Sequence, residues 1–333
     1  MTRLPCRLLL LAALLLGATG AQAALDAEQR GFVDDMVRRH GFNRAELTRL
    51  LEDAQFQDGI IAAITRPAEA KPWYEYRAIM LTPERAEQGV EFWRRNADTL
   101  RRAEAEYGVP PQIVTAILGV ETRYGRNTGR HRVLDALFTL GFGYPKRAPF
   151  FRKELEQFLL MAREERLDAR TLTGSYAGAM GRPQFMPSSF RTFAVDFDGD
   201  GRRDLWNSDA DAIGSIANYF VRNGWRRGES VVLPAQGVGT RHQRFLDAGL
   251  KPSLSLGELA GAGITVAAGL PGDTPASLFD LDEENGPVYW AGLQNFYAIT
   301  RYNRSELYAM AVYQLSREIA QLHAAGEREN VAR

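Results

Sequence analysis

The stretch Gly119-Val120-Glu121-Thr122-Arg123-Tyr124-Gly125 places one carboxylate at the end of an apolar helix that begins at Pro110-Pro111. Ile113, Ile117, Val120 and Tyr124 recur at helical spacing, and Val114, Leu118 and Glu121 recur on a neighbouring face. Glu121 therefore extends an apolar row, where a charged side chain is out of place. Desolvation disfavours its anion, and the negative end of the helix dipole disfavours it further. A carboxyl group kept protonated near neutral pH is a general acid. The plain alternative is a surface Glu paired with Arg123 or Arg126 in the last helical turn.

A second constellation is Asp196-Phe197-Asp198-Gly199-Asp200-Gly201. Carboxylates at positions 1, 3 and 5 with Gly at 6 match the start of an EF-hand calcium loop, and position 7 would offer the carbonyl of Arg202. The pattern then departs, because position 12 is Asn207 where a Glu is usual. Asp209 or Asp211 is available as the closing ligand, and Asp204 could contribute directly or through water. Three acidic groups in five residues repel one another without a cation, so bound Ca2+ with a structural role is expected. The alternative is a polar turn whose Asp residues cap local backbone.

Two further groups carry polar tips. In Ser175-Tyr176-Ala177-Gly178-Ala179-Met180-Gly181 and Gln184-Phe185-Met186-Pro187-Ser188, small residues permit close backbone approach, and Ser175 and Gln184 can hydrogen-bond hydroxyl and amide groups. Tyr302-Asn303 and Tyr308 lie on an otherwise apolar C-terminal stretch. Read alone, these serve equally well as packing, core and cap residues. Trp73, Tyr74, Tyr76 and Tyr219 could stack on sugar faces, although most aromatics are core.

The elements that must position these residues are mainly helical. Short helices are expected from Leu25 to about Ile64, with Phe32, Val33 and Met36 at helical spacing and Asn43 as a cap. Lys71-Pro72-Trp73 should be extended. One long helix should follow Thr82-Pro83, with Val90, Phe92, Trp93, Leu100 and Ala103 buried. Helices are expected over Val133–Leu140, Phe150–Arg163 and Asp211–Asn223. Composition then shifts, and Val231-Val232-Leu233, Ile264-Thr265-Val266 and Ser277-Leu278-Phe279 look like short strands in a small β insertion. Helix resumes at Leu293–Tyr297, and Asn303-Arg304-Ser305 caps a last helix to about Ala324.

Hydrophobic content of 45% and charged content of 25% describe a globular protein, and 41 basic against 41 acidic residues give no footprint for nucleic acid. Arg3 and Arg7 precede the apolar run Leu8–Leu16, and small residues end at Ala21-Gln22-Ala23, the order of a secretory signal peptide. Cleavage is expected after Ala23; it removes both arginines and leaves 39 basic and 41 acidic residues, about −2. The one cysteine, Cys6, precedes the apolar run, whereas a bacterial lipoprotein needs a cysteine at the cleavage point. A non-lipidated, disulfide-free exported protein with no membrane anchor is expected. His40, His131, His242 and His323 lack metal-ligand spacing, and neither a serine nucleophile elbow nor a phosphate-binding loop is present.

Taken together and in this order, the motifs around Glu121, Ser175–Gly181, Gln184–Ser188, Asp196 and Arg301-Tyr302-Asn303 resemble the lytic murein transglycosylase B family, from about Trp73 through Tyr313. The resemblance implies a lysozyme-like helical core with a helical lobe, a small β domain and an EF-hand-like calcium loop. The expected division is a signal peptide (1–23), a helical lobe (24–76), a catalytic core (77–226) with the loop at 196–211, a β insertion (227–289) and a C-terminal helical part (290–333). The implied activity is non-hydrolytic cleavage of the β-1,4 bond between N-acetylmuramic acid and N-acetylglucosamine in periplasmic peptidoglycan, giving 1,6-anhydromuramic ends. Glu121 matches the family's catalytic acid. Tyr76, Ser175, Gln184, Tyr219, Tyr302, Asn303 and Tyr308 match positions lining its glycan groove. Lys146 and Arg147 match basic residues that face muropeptide carboxylates; Lys146 stands where some relatives have Arg. Asp196, Asp198, Asp200, the Arg202 carbonyl and Asp211 match the calcium ligands. Glycan strands are the implied partner, cell-wall synthesis enzymes are candidate partners, and a monomer is the default.

Ordinary glycosidases use two carboxylates, one of them a base or nucleophile. The sequence offers one well-placed candidate, which suffices if the substrate's own C6 hydroxyl attacks. A hydrolytic muramidase would need a second carboxylate about 5 to 9.5 Å away. A non-catalytic wall-binding scaffold would need no desolvated Glu.

Overall fold

The computed structural model describes residues 24–66, 71–266 and 269–331; the expected signal peptide, residues 1–23, lies outside them. The chain separates into two compact units, one ending at Ala54 and one beginning at Gln55. In the first, α1 (Ala27–His40) opens with a reciprocal cap between Asp26 and Gln29 and buries Val33 and Met36. Asn43 caps α2 (Arg44–Glu52) by accepting the Glu46 N–H, and α2 buries Leu47 and Leu51.

The second unit begins with α3 (Asp58–Thr65) and α4 (Trp73–Met80). The expected extended Lys71-Pro72-Trp73 segment is corrected here. Pro72 is extended (ψ 157°), but Trp73 is already the first helical residue, because the extended backbone of a proline suits the position just before a helix. Trp73 is 1% exposed, so it belongs to the core and presents no face to a sugar. Thr82 caps α5 (Pro83–Arg95) through the Arg85 N–H, as expected. The single long helix is two, however, with α6 at Ala97–Tyr107. Asn96 leaves helical geometry (φ −113°, ψ 21°), and its amide donates to Asp209 at 3.2 Å. A tertiary hydrogen bond thus outweighs the local preference for one rod.

Next come α7 (Pro111–Thr122), β1 (His131–Arg132), α8 (Val133–Gly143), α9 (Ala148–Glu164), β2 (Thr173–Gly174), α10 (Pro187–Phe193) and α11 (Asp209–Arg222). The sheet elements are β3 (Val232–Gln236), β4 (Leu254–Ser255), β5 (Thr265–Val266), β6 (Pro275–Glu283) and β7 (Gly286–Gly292), with short α12 (Gln243–Leu246) and α13 (Leu256–Gly261) between them. The antiparallel order is β4-β6-β7-β3-β5. It encloses its own small core of Phe245, Leu259, Ile264, Leu278 and Ala291. β7 has no counterpart among the expected strands, because Pro287 and its terminal glycines hide the strand pattern. The chain returns through α14 (Gln294–Tyr302) to α15 (Glu306–Val331). This second unit is mainly helical, with this five-stranded sheet and a two-stranded pairing of β1 with β2.

α7 lies at the centre, against α5, α11 and α15. Pro111 starts it, where a missing N–H costs nothing, and Ile113, Val114, Ile117 and Leu118 are at most 3% exposed. Each contributes roughly 2 kcal/mol of apolar burial. The helix ends at Thr122, two residues short of the Tyr124 that its apolar row contains. Tyr124 still reaches the core because the chain reverses and sends its ring back over the last turn. A Cβ at Gly119 would stand 2.5 Å from the Tyr124 hydroxyl, and one at Gly89 2.6 Å from it. Gly119→Ala should therefore destabilise the protein by about 1–3 kcal/mol, as overpacking does; an unchanged urea midpoint would refute this packing.

Candidate active site

Glu121 occupies the last turn of α7. Arg123, Tyr124 and Gly125 follow with φ of 49°, 60° and 84°. Two consecutive non-glycine residues in the left-handed region are costly, and such strain gathers at functional sites. The turn is held by Thr122, whose hydroxyl donates to the Arg182 carbonyl at 2.9 Å and accepts the Gly125 N–H at 3.0 Å. Glu121 does not pair with Arg123 or Arg126. Its partner is Tyr308, whose hydroxyl donates to Glu121 Oε1 at 2.5 Å. Part of the Glu121 side chain remains accessible, while protein packs closely around its carboxyl. Desolvation pushes that carboxyl up to about 7, against the pull of the Tyr308 hydrogen bond. No second carboxylate of the described residues figures among the influences on its proton.

Three tyrosines from two distant parts of the chain face this carboxyl. Tyr76 on α4 is pushed up by its own burial and then by the field of Glu121. Tyr302 and Tyr308 are pushed well above the usual phenol range by the same two causes in the same order. The Tyr302 and Tyr308 rings lie nearly parallel, 6.5 Å apart and 13° from coplanar. The Tyr302 hydroxyl donates to the Pro183 carbonyl at 2.6 Å, which ties α14 to the turn carrying Gln184. Tyr219 backs Tyr302 at 4.8 Å, and its own hydroxyl donates to the Arg301 carbonyl at 2.5 Å. Tyr219 is 8% exposed.

Gln184 sits in the left-handed region (φ 51°), and its amide donates to the carbonyls of Thr128 at 3.0 Å and Gly181 at 2.9 Å. With both donors engaged, its carbonyl oxygen remains as an acceptor for a ligand. Ser175 accepts the N–H groups of Ala177 and Ala179, which leaves its hydroxyl proton to donate. Asn303 is exposed at the end of α14, beside Tyr302. Lys146 and Arg147 lie elsewhere, on the exposed turn between α8 and α9, where Arg147 spreads over Phe150 at 4.4 Å. Among the described residues no hydrogen bond or ion pair joins them to the tyrosine cluster.

The strut behind this site has no signature in the order of residues. The Tyr124 hydroxyl donates to the Arg85 carbonyl at 2.7 Å. The buried Arg85 guanidinium donates to the carbonyls of Ile79 and Met80, at the end of the helix that carries Tyr76. Tyr124 follows Glu121 by three residues, so the Glu121 wall and the Tyr76 wall are tied through Arg85. Only the left-handed reversal reveals this, and a helical period cannot.

The acidic loop brings one oxygen each of Asp196, Asp198 and Asp211 within 4.8 Å of one another. Gly199 and Gly201 make the turn with φ of 79° and 88°. Asp196 accepts the N–H groups of Gly199, Asp200 and Gly201. Asp211 is 1% exposed and accepts those of Phe197, Asp198 and Asp204. Oxygens on opposite sides of Ca2+ stand about 5 Å apart, so this cluster fits a hard cation of that size. Asp200 and Arg202 are outside the group of three; Asp200 accepts the Arg202 N–H at 2.9 Å. Asp209 is paired with Arg182 at 2.8 Å, and it is Asp211 that joins Asp196 and Asp198 in the cluster.

Residues 24–317 match the family described as Transglycosylase SLT domain. Over 311 residues the chain is 46% identical to the membrane-bound lytic murein transglycosylase B of Escherichia coli K12, covering 90% of this chain and 85% of that protein. The catenated lytic transglycosylase SltB1 of Pseudomonas aeruginosa superposes with a TM-score of 0.87 at 51% identity, covering 90% of this chain and 99% of that one. The Escherichia coli lytic transglycosylase Slt35 in complex with calcium gives 0.81 at 45% identity, covering 90% and 94%. A match of this extent, on a helical core with a small five-stranded sheet and a half-buried glutamic acid among tyrosines, makes the chain a member of the lytic murein transglycosylase B family.

Proposed function

We propose that Glu121 alone serves as acid and then base in cleaving the bond between N-acetylmuramic acid and N-acetylglucosamine, without water. The observation that carries this is a single carboxyl packed closely by protein and held by the Tyr308 hydroxyl; burial pushes it up to about 7, with no other carboxylate of the described residues acting on it. Near neutral pH such a group exists in both forms, so it can give a proton and take one back. Glu121 protonates the bridging oxygen, and the bond to muramic C1 breaks with oxocarbenium character. The substrate's N-acetyl oxygen can stabilise that centre. Glu121, now a carboxylate, removes the proton of the C6 hydroxyl, whose oxygen bonds to C1 and closes the 1,6-anhydro ring. The proton count balances, and Glu121 is restored. An intramolecular hydroxyl has an effective concentration of up to ~10⁵ M or more, far above that of water. Tyr76, Ser175, Gln184, Tyr219, Tyr302, Asn303 and Tyr308 line or support the sugar site in this reading, and Lys146 and Arg147 meet carboxylates at its periphery. Muramyl ends released from sacculi should resist borohydride, because an anhydro ring has no free hemiacetal; reducible ends would instead make the enzyme a muramidase.

The substrate is an extracytoplasmic polymer, and the reading places the mature enzyme in the periplasm after loss of residues 1–23. Among the described residues no helix is long and apolar enough to cross a membrane. For the acidic loop, Asp196, Asp198 and Asp211 would hold Ca2+, with Asp200 and the Arg202 carbonyl completing the set. A divalent ion there would offset two of the three negative charges of Asp196, Asp198 and Asp211. It thereby secures the segment whose Leu205 carbonyl receives the Arg182 N–H at 2.8 Å, beneath the Thr122 turn. Calcium at 100 times its Kd should add about 2.7 kcal/mol of stability. The rise in Tm on adding calcium should vanish in Asp198→Asn; a variant that keeps the full rise would remove calcium from the loop.

A further inference from the structure

Successive carbonyls at Gly181, Arg182 and Pro183 hold parts of the proposed sugar site. They receive the Gln184 amide at 2.9 Å, the Thr122 hydroxyl at 2.9 Å and the Tyr302 hydroxyl at 2.6 Å. Thr122 directly follows Glu121, so the placement of this short segment sets the placement of the turn beside the acid.

The segment is anchored in turn by Arg182. Its N–H donates to the Leu205 carbonyl at 2.8 Å. Its Nε donates to the Trp206 carbonyl at 3.1 Å and its Nη2 to the Asn207 carbonyl at 3.3 Å. Its Nη1 pairs with Asp209 at 2.8 Å, and side-chain exposures of 22% and 28% make this more sheltered than a surface ion pair. A planar guanidinium meets several acceptors at once in fixed directions, which a lysine cannot do. The acceptors are themselves fixed. Asp204 takes the N–H groups of Trp206 and Asn207, both at 2.9 Å, and Asp209 also accepts the Asn96 amide at 3.2 Å. The guanidinium packs directly behind the left-handed reversal, since a Cβ at Gly125 (φ 84°) would stand 2.4 Å from Arg182 Nη1. Arg182 is not among the charges that act on the Glu121 proton. Its effect on the acid is one of place and not of field.

We propose that Arg182 is a positioning residue for the transglycosylase reaction, which locks the Thr122 turn, and with it Glu121, onto the segment 205–209. This rests on the reading of Glu121 as the acid. The acid is then held from behind by a fork of contacts to a distant segment, and release of that fork lets the turn drift from the scissile bond.

The test is a double-mutant cycle on solubilised peptidoglycan strands with Arg182→Leu and Thr122→Val. Rates are taken well below the melting temperature of every variant, with folding checked by near-ultraviolet circular dichroism. Arg182→Leu should lower kcat about tenfold with KM little changed, because a displaced acid loses transition-state stabilisation and not substrate binding. The double variant should be little slower than the slower single one, since both changes release the same turn. Arg182→Lys keeps a charge beside Asp209 without the fork; it should show a smaller loss of the same kind, and it carries the cycle if Arg182→Leu does not fold. An unchanged kcat with only a lower Tm would make Arg182 purely structural and overturn the proposal. Losses that multiply in the double variant, or a raised KM at constant kcat, would overturn it as well. Failure of the underlying reading is visible separately, as near wild-type turnover in Glu121→Gln.

Discussion

Glu121→Gln should lower turnover on sacculi by at least about 10³-fold while leaving the fold intact. One side chain performs both proton transfers, and a positioned acid or base contributes about 10²–10⁴-fold by itself. Glutamine fills the same volume and can still accept the Tyr308 hydrogen bond, so the packing of α7 is undisturbed. A stability change accompanies the loss, with a sign fixed by the pKa. The carboxyl is raised from its ordinary 4.5 to about 7. Its favourable contribution is fully present below about pH 4.5 and is lost as pH rises through about 7. Above that point the wild type holds a poorly hydrated anion, at a cost of at most about 3 kcal/mol, less what water at the exposed edge returns. Glu121→Gln should therefore be more stable than wild type at pH 8 and lose that advantage at pH 4. A variant with near wild-type turnover would remove Glu121 from the chemistry.

Tyr308→Phe should cut kcat about 10- to 100-fold, the worth of one hydrogen bond to a charged group of about 1.5–3 kcal/mol. The hydroxyl favours the carboxylate form, and its removal leaves burial unopposed. The pKa of Glu121 then rises, and the alkaline limb of kcat/KM, which follows loss of the Glu121 proton, moves to higher pH. A lower kcat with an unmoved limb would mean that Tyr308 acts on the sugar and not through Glu121. Tyr124→Phe is a useful contrast, because it removes the strut bond to Arg85 without touching the carboxyl.

The central helix and its acid were legible in the sequence because both depend on local order. An apolar period, two prolines and a carboxylate on the wrong face suffice for α7 and Glu121. The caps at Asn43 and Thr82 were equally local. What remained hidden depends on residues far apart in the chain. The break at Asn96 follows from Asp209, over a hundred positions later, and β7 is recognisable only beside β3 and β6. Tyr76, Tyr302 and Tyr308 stood out only as aromatics that serve equally well as core, and the resemblance was needed to assign them to a groove. Their grouping around Glu121 comes from α4 and α14 both packing against α15. The reversal at Arg123 and Tyr124, with the room left by Gly89 and Gly119, breaks the helical period that made the rest readable.

Digestion of sacculi in ¹⁸O-labelled water addresses the central claim most directly. The account requires that the muramyl C6 oxygen closes on C1, so the released muramyl ends should contain no ¹⁸O and weigh one water less than reducing ends. Muramyl ends carrying ¹⁸O at C1 would contradict it.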